Sequence, residues 1–163
     1  MAFDAELLYA GAMFHVIGLT RRHGSPHERF EVDGASAARD FLRGSGISRQ
    51  DFDTVWTAIA LHNTLGIPQH MHPVVALATA GVEMVVPGMA YHELSAAERE
   101  AVVRVHPRPE HFKDDIIQAL YVGIRHKPST TFGNVKADMP ADKEPYFRSV
   151  NFCSLIRSSA WRA

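Results

Sequence analysis

Residues 49–63 read Arg49-Gln50-Asp51-Phe52-Asp53-Thr54-Val55-Trp56-Thr57-Ala58-Ile59-Ala60-Leu61-His62-Asn63. Phe52, Val55, Trp56, Ile59 and Ala60 fall at i, i+3, i+4, i+7 and i+8, the spacing that puts apolar side chains on one face of an α-helix. The same period extends in both directions. Pro73 suits the first turn of a helix over 73–85. Ser95-Ala96-Ala97-Glu98 is a capping box opening a helix to about Val105. A longer one spans about 109–126, with Ile116, Ile117, Leu120, Tyr121 and Ile124 inward. Upstream, Asp33 reads as the cap of a helix over 33–43 that carries Ala35, Ala38, Phe41 and Leu42 and stops at Gly44 and Gly46. Asp4 caps a first helix over 4–16, packing through Leu7, Leu8 and Gly11-Ala12 and closed by Gly18. Residues 21–28 form a polar loop around Gly24, Ser25 and Pro26. The tail, with Pro128, Gly133, Pro140 and Pro145, reads as loop except for a short helix over about 147–156. No strand pair, repeat or composition break is visible. The expected fold is all-α, a bundle of six to seven helices in a single domain over 1–163.

The chain has 163 residues, 17 Lys+Arg against 18 Asp+Glu, a formal net charge of -1, and 46% hydrophobic residues. That is an ordinary globular balance, long enough to bury a core without staples. It lacks the basic excess of a nucleic-acid binder or of a protein held on an acidic membrane. The longest apolar run, 74–87, is broken by Glu83 and falls short of the roughly 18 residues of a membrane span. The N-terminus has acids and no basic n-region, so a cytoplasmic location is expected. The single cysteine, Cys153, excludes an intramolecular disulfide and reads as a buried structural thiol. The ten histidines are the unusual entry in the composition.

His15 sits near the end of an apolar helix, in Phe14-His15-Val16-Ile17-Gly18, and reads either as a satisfied core histidine or as a functional group. His62 closes the third helix, where an imidazole at a helix C-terminus also interacts with the dipole. His70 and His72 form a His-x-His loop, which is solvated or holds an ion only with a third ligand. His23, His27, His92, His106, His111 and His126 lie in loops or at helix ends. No Gly-x-Ser-x-Gly elbow, Gly-x-x-x-x-Gly-Lys loop or Gly-x-Gly-x-x-Gly motif occurs.

Several ordered segments carry a resemblance. They are Glu6-Leu7-Leu8-Tyr9, Phe14-His15-Val16-Ile17-Gly18-Leu19-Thr20, Arg29-Phe30-Glu31-Val32-Asp33-Gly34-Ala35, Val55-Trp56-Thr57-Ala58-Ile59-Ala60-Leu61-His62 and Gly81-Val82-Glu83-Met84-Val85. Thr131-Phe132-Gly133-Asn134-Val135 and Asn151-Phe152-Cys153 follow. Together they resemble the HD-domain superfamily, in the branch that includes cyanamide hydratase, over nearly the whole chain. The resemblance implies an all-α fold and chemistry at a divalent metal held by an early His, a His-Asp pair and a late Asp. Here His15 matches the histidine of the pair, but its aspartate position is Val16, and the late aspartate position is Val85. The helix bearing the early His, upstream of Asp4, is not in this sequence. His62 corresponds to an auxiliary ligand.

Two imidazoles fall short of the three or four protein ligands of a retained metal site, so no metal cofactor is expected. Valine is close to aspartate in volume and carries no charge to desolvate, so both replacements turn a metal pocket into an apolar one. Met13, Val16, Met84 and Val85 are its expected walls. His15 and His62, with pKa values near working pH, are the expected acid/base groups, and Glu83 or Glu31 orients an imidazole. Such a site suits proton transfer, elimination or isomerisation on a small, partly apolar ligand. The first alternative is a catalytically inactive binding or scaffold protein, homodimeric through a surface the absent helix leaves open. The second is a hydrolase or hydratase with a relocated Zn or Fe site drawn from His15, His62, His70 and His72, with Glu83.

Overall fold

A computed structural model describes residues 2–131 and 138–161 of the chain. The Phe132-Gly133-Asn134-Val135 part of the tail motif lies outside them. The described residues form eight α-helices and no strand: α1 (Ala5–Phe14), α2 (Phe30–Leu42), α3 (Arg49–Leu61), α4 (Pro73–Val85), α5 (Ala96–Val105), α6 (Phe112–Ile124), α7 (Asp138–Lys143) and α8 (Phe152–Ser158). Single 3₁₀ turns cover Ile17–Leu19, Pro68–His70, Tyr91–Glu93 and Pro128–Thr131. None of the helices is long and apolar enough to cross a membrane.

The helix starts follow local chemistry. The Asp4 carboxylate accepts from the Glu6 and Leu7 amides and begins α1. Ser48 and Asp51 close a reciprocal capping box at α3, and Ser95 and Glu98 do the same at α5. Pro73 occupies the first turn of α4, where its missing N–H leaves no helical bond unmade.

The core forms where α3 packs against α1, α2 and α4. Val55, Ala58 and Ile59 of α3 meet Leu7, Ala35, Ala38, Val74 and Val75, and Trp56 and Ala60 flank them. Small residues set the spacing. Gly11 faces the Ala58 methyl, and a Cβ at Gly34 would lie 2.9 Å from the Phe14 carbonyl oxygen. The N-terminal segment of α2 is thereby drawn against the C-terminal end of α1.

Six sequence expectations change. The second helix starts at Phe30, and Asp33 lies inside it rather than capping it. Asp33 Oδ2 accepts instead from the Ser25 amide and from Lys127, partners outside the helix. α6 is shorter than 109–126 at both ends, and Tyr121 faces solvent, 54% exposed. The last helix begins at Phe152 because Asn151 caps it, and residues read as loop form the short α7. Cys153 is half-buried, not buried.

Candidate functional site

α1 and α3 both end on a histidine: His15 caps α1 at its C-terminus and His62 caps α3. Each ring uses the same local contact. His15 Nδ1 lies 2.6 Å from the Ala12 carbonyl oxygen and His62 Nδ1 lies 2.7 Å from that of Ile59. A carbonyl can only accept, so Nδ1 carries the proton in each neutral ring and Nε2 keeps its lone pair. The two rings meet edge to face, with centroids 5.1 Å apart and planes at 87°.

The first turn of α2 closes the site. The Phe30 ring stands 5.8 Å from the His62 ring. Beside it, the buried Glu31 carboxylate accepts a 2.8 Å hydrogen bond from Arg29 Nη2. Gly18 makes this close approach possible. A Cβ there would collide with the Phe30 carbonyl and lie 2.8 Å from the Gly34 nitrogen.

Burial dominates the electrostatics. His62 is 2% exposed. Its desolvation pushes the imidazole down from its ordinary 6.5 to about 4. The Ile59 carbonyl and the Glu31 charge act upward, and His15 and Arg29 act downward, without reversing the effect of burial. The expectation that His62 titrates near working pH is therefore corrected, since the ring is neutral at pH 7. The hydrogen bond to Glu31 holds the Arg29 guanidinium above its ordinary value.

The other expected residues divide between this cluster and the surface. Glu31 joins it, but as a charge paired with Arg29. The carbonyls of Ala12 and Ile59 orient the imidazoles, so neither Glu31 nor Glu83 has that role. Glu83 is half-buried near the end of α4, and burial raises its carboxyl above the ordinary value. It is not among the charges acting on His62. The expected pocket walls are open. Met13 is 59% exposed, Val85 44% and Val16 36%, so these side chains do not enclose a dry cavity in the single chain. Met84 is half-buried, and its carbonyl accepts from Trp161 Nε1 at 2.8 Å.

His70 and His72 are both exposed, and His72 Nδ1 accepts from the Val74 amide, 3.3 Å away, to cap α4. The relocated metal set is thus not assembled. Among the described residues no three His, Cys, Asp or Glu side chains stand together in a metal-holding arrangement. His15 and His62 alone, beside a carboxylate engaged by an arginine, do not fit a three- or four-ligand site.

Sequence reasoning missed two features here. Arg29 and Phe30 were visible only as part of a motif, because their roles depend on where α2 begins. The buried Lys127, whose ammonium lies 2.8 Å from Asp33 Oδ2, had no local signal at all. No family model matches the chain, and no curated protein or solved structure is significantly similar to it.

Proposed function

We propose that the chain is an HD-like protein without its metal centre, whose His15–His62 pair moves a proton on a small, partly apolar ligand. The supporting observation is the ring pair itself: two imidazoles in edge contact, each fixed by a carbonyl on Nδ1 and each left with a free Nε2 lone pair. The resemblance to the HD superfamily adds that His15 and His62 sit at positions of ligand histidines, with Val16 and Val85 in place of the carboxylates. His62 is the neutral acceptor at pH 7. His15, half-buried, is the ring of the pair nearer the solvent. Proton abstraction beside an electron-withdrawing group, the first half of an isomerisation or elimination, calls for a positioned acceptor of this kind.

The test requires no known substrate. Small neutral molecules with an acidic C–H are screened for binding by the histidine Cε1–H NMR signals. Those that bind are then incubated in D₂O. The proposal expects ligands that move the His15 and His62 signals and that take up deuterium, with uptake lost in His15→Ala and His62→Ala. Uptake unchanged in both variants, or ligands that never affect these signals, would overturn it.

A second reading, a non-catalytic protein that self-associates, is favoured by α1. Tyr9 and Met13, at i and i+4 on its outer side, are 68% and 59% exposed, and Val16 just past its end is 36% exposed. Light scattering on the wild-type protein and on Met13→Lys tests it. A concentration-dependent dimer that the substitution disperses supports self-association, and a monomer at all concentrations excludes it.

A further inference from the structure

A second set of residues carries a binding site that does not depend on the histidine pair. The 3₁₀ turn Ile17–Leu19 and the loop after it face the C-terminal end of α6 across a groove of about 620 Å³. Arg21 lines it from the loop, and Arg125 and His126 line it from just past the end of α6. Leu19 and Val122 supply its apolar wall. No carboxylate is among the described residues that line it, and neither arginine forms an ion pair with a described residue.

The groove is held in shape from behind. Asp33 Oδ2 accepts from the Ser25 amide at 2.8 Å, fixing the middle of the loop, and from Lys127 Nζ at 2.8 Å, fixing the residue next to His126. Lys127 is fully buried and Asp33 nearly so. The Asp33 carboxylate is therefore spent on Lys127 and forms no ion pair with Arg21 or Arg125. The two walls also touch without slack: a Cβ on Gly123 of α6 would lie 2.6 Å from Leu19 Cδ2. Guanidinium groups carried on such a braced backbone suit an oxyanion, because each offers two parallel N–H donors. Two permanent positive charges match a dianion better than a single carboxylate, and the apolar wall suits the organic remainder of the ligand. The volume is that of an ordinary small-molecule site.

We infer that this groove binds a small organic dianion, with Arg21 and Arg125 on its oxygens and Leu19 and Val122 against its carbon skeleton. A phosphomonoester and a dicarboxylate share this chemistry.

Calorimetric titration of the full chain with phenyl phosphate, phthalate and benzyl alcohol tests the assignment. One or both dianions are expected to bind, more weakly at high salt, and whichever binds identifies the source of the charge. Arg125→Gln and Arg21→Gln are each expected to weaken that binding by roughly tenfold, the usual loss for a hydrogen bond to a charged group. His15→Ala is expected to leave it unchanged, which separates this groove from the histidine pair. Thermal melts confirm that each variant is folded. Failure of both dianions to bind, binding of benzyl alcohol as tight as theirs, or dianion binding indifferent to both arginine substitutions would overturn the inference.

Discussion

Lys127 Nζ and Asp33 Oδ2 are 2.8 Å apart, inside the protein, across 94 residues of sequence. Burial alone would raise the Asp33 carboxyl. The Lys127 ammonium and the Ser25 amide outweigh it and hold the group below the ordinary carboxylate value. Asp33 also lies in the first turn of α2, where negative charge is favoured by the helix dipole.

Breaking this pair from one side leaves a buried charge without a partner. Lys127→Met and Asp33→Asn are each expected to cost about 3–5 kcal/mol by urea unfolding, well above an exposed ion pair. The double variant Lys127→Met, Asp33→Asn removes both charges and is expected to cost less than the sum of the single losses. Additive losses would show that the two groups are not coupled.

His62 makes stability depend on pH in a definite window. Its folded value, about 4, lies below the unfolded 6.5. The unfolded chain therefore takes up a proton first as pH falls. The contribution is fully present above about pH 6.5, declines through that range, and is gone below about 4. The shift corresponds to about 3 kcal/mol. Urea unfolding at pH 7.5 and 4.5 on wild type and His62→Gln measures it. The wild type is expected to lose more stability than the variant, and equal losses would refute the depressed value. Asp33 does not confuse the comparison, because its depressed carboxyl acts below the ordinary carboxylate range.

The C-terminal segment is seated by Trp161. The ring is 4% exposed, its Nε1 donates to the Met84 carbonyl, Tyr91 meets it edge-on at 4.7 Å, and the Arg108 guanidinium lies over its face at 4.7 Å. Trp161→Ala is expected to cost about 3–5 kcal/mol if the segment folds with the core. A smaller loss, with hydrogen exchange accelerated only in α8, would show that the segment opens separately.

The sequence was most informative where structure is decided locally. Pro73 and the Ser95–Glu98 box marked the starts of α4 and α5, and the stripe from Phe52 to Ala60 named the core-facing side of α3. The start of α2 was missed because Asp33, a good capping residue by type, has its carboxylate bound by groups outside the helix. Lys127 was missed for the same reason: nothing near it in the chain announces a partner 94 residues away. His15, His62 and Glu31 were singled out and do converge. Met13, Val16 and Val85 were expected to line a cavity, but apolar character alone does not say which side of a helix finds a neighbour.

Val16 and Val85 give the HD resemblance its sharpest test. Both are exposed, at 36% and 44%, so aspartate at either position buries no charge, and the double variant Val16→Asp, Val85→Asp is expected to change stability by less than about 1 kcal/mol. If the two valines stand where the superfamily has its metal-binding carboxylates, the variant supplies two carboxylates to the Nε2 lone pairs of His15 and His62. That is a four-ligand oxygen and nitrogen set suited to zinc or iron. Metal analysis of tag-free protein after equilibration with Zn²⁺ or Fe²⁺ is expected to find stoichiometric metal in the variant and much less in the wild type. The metal should be lost again when His15→Ala is added. Equal, negligible uptake by variant and wild type would mean that the valines do not occupy those positions. Stoichiometric uptake by the wild type would restore a metal-dependent reading of the histidine pair, because the native donors would then suffice without the two carboxylates.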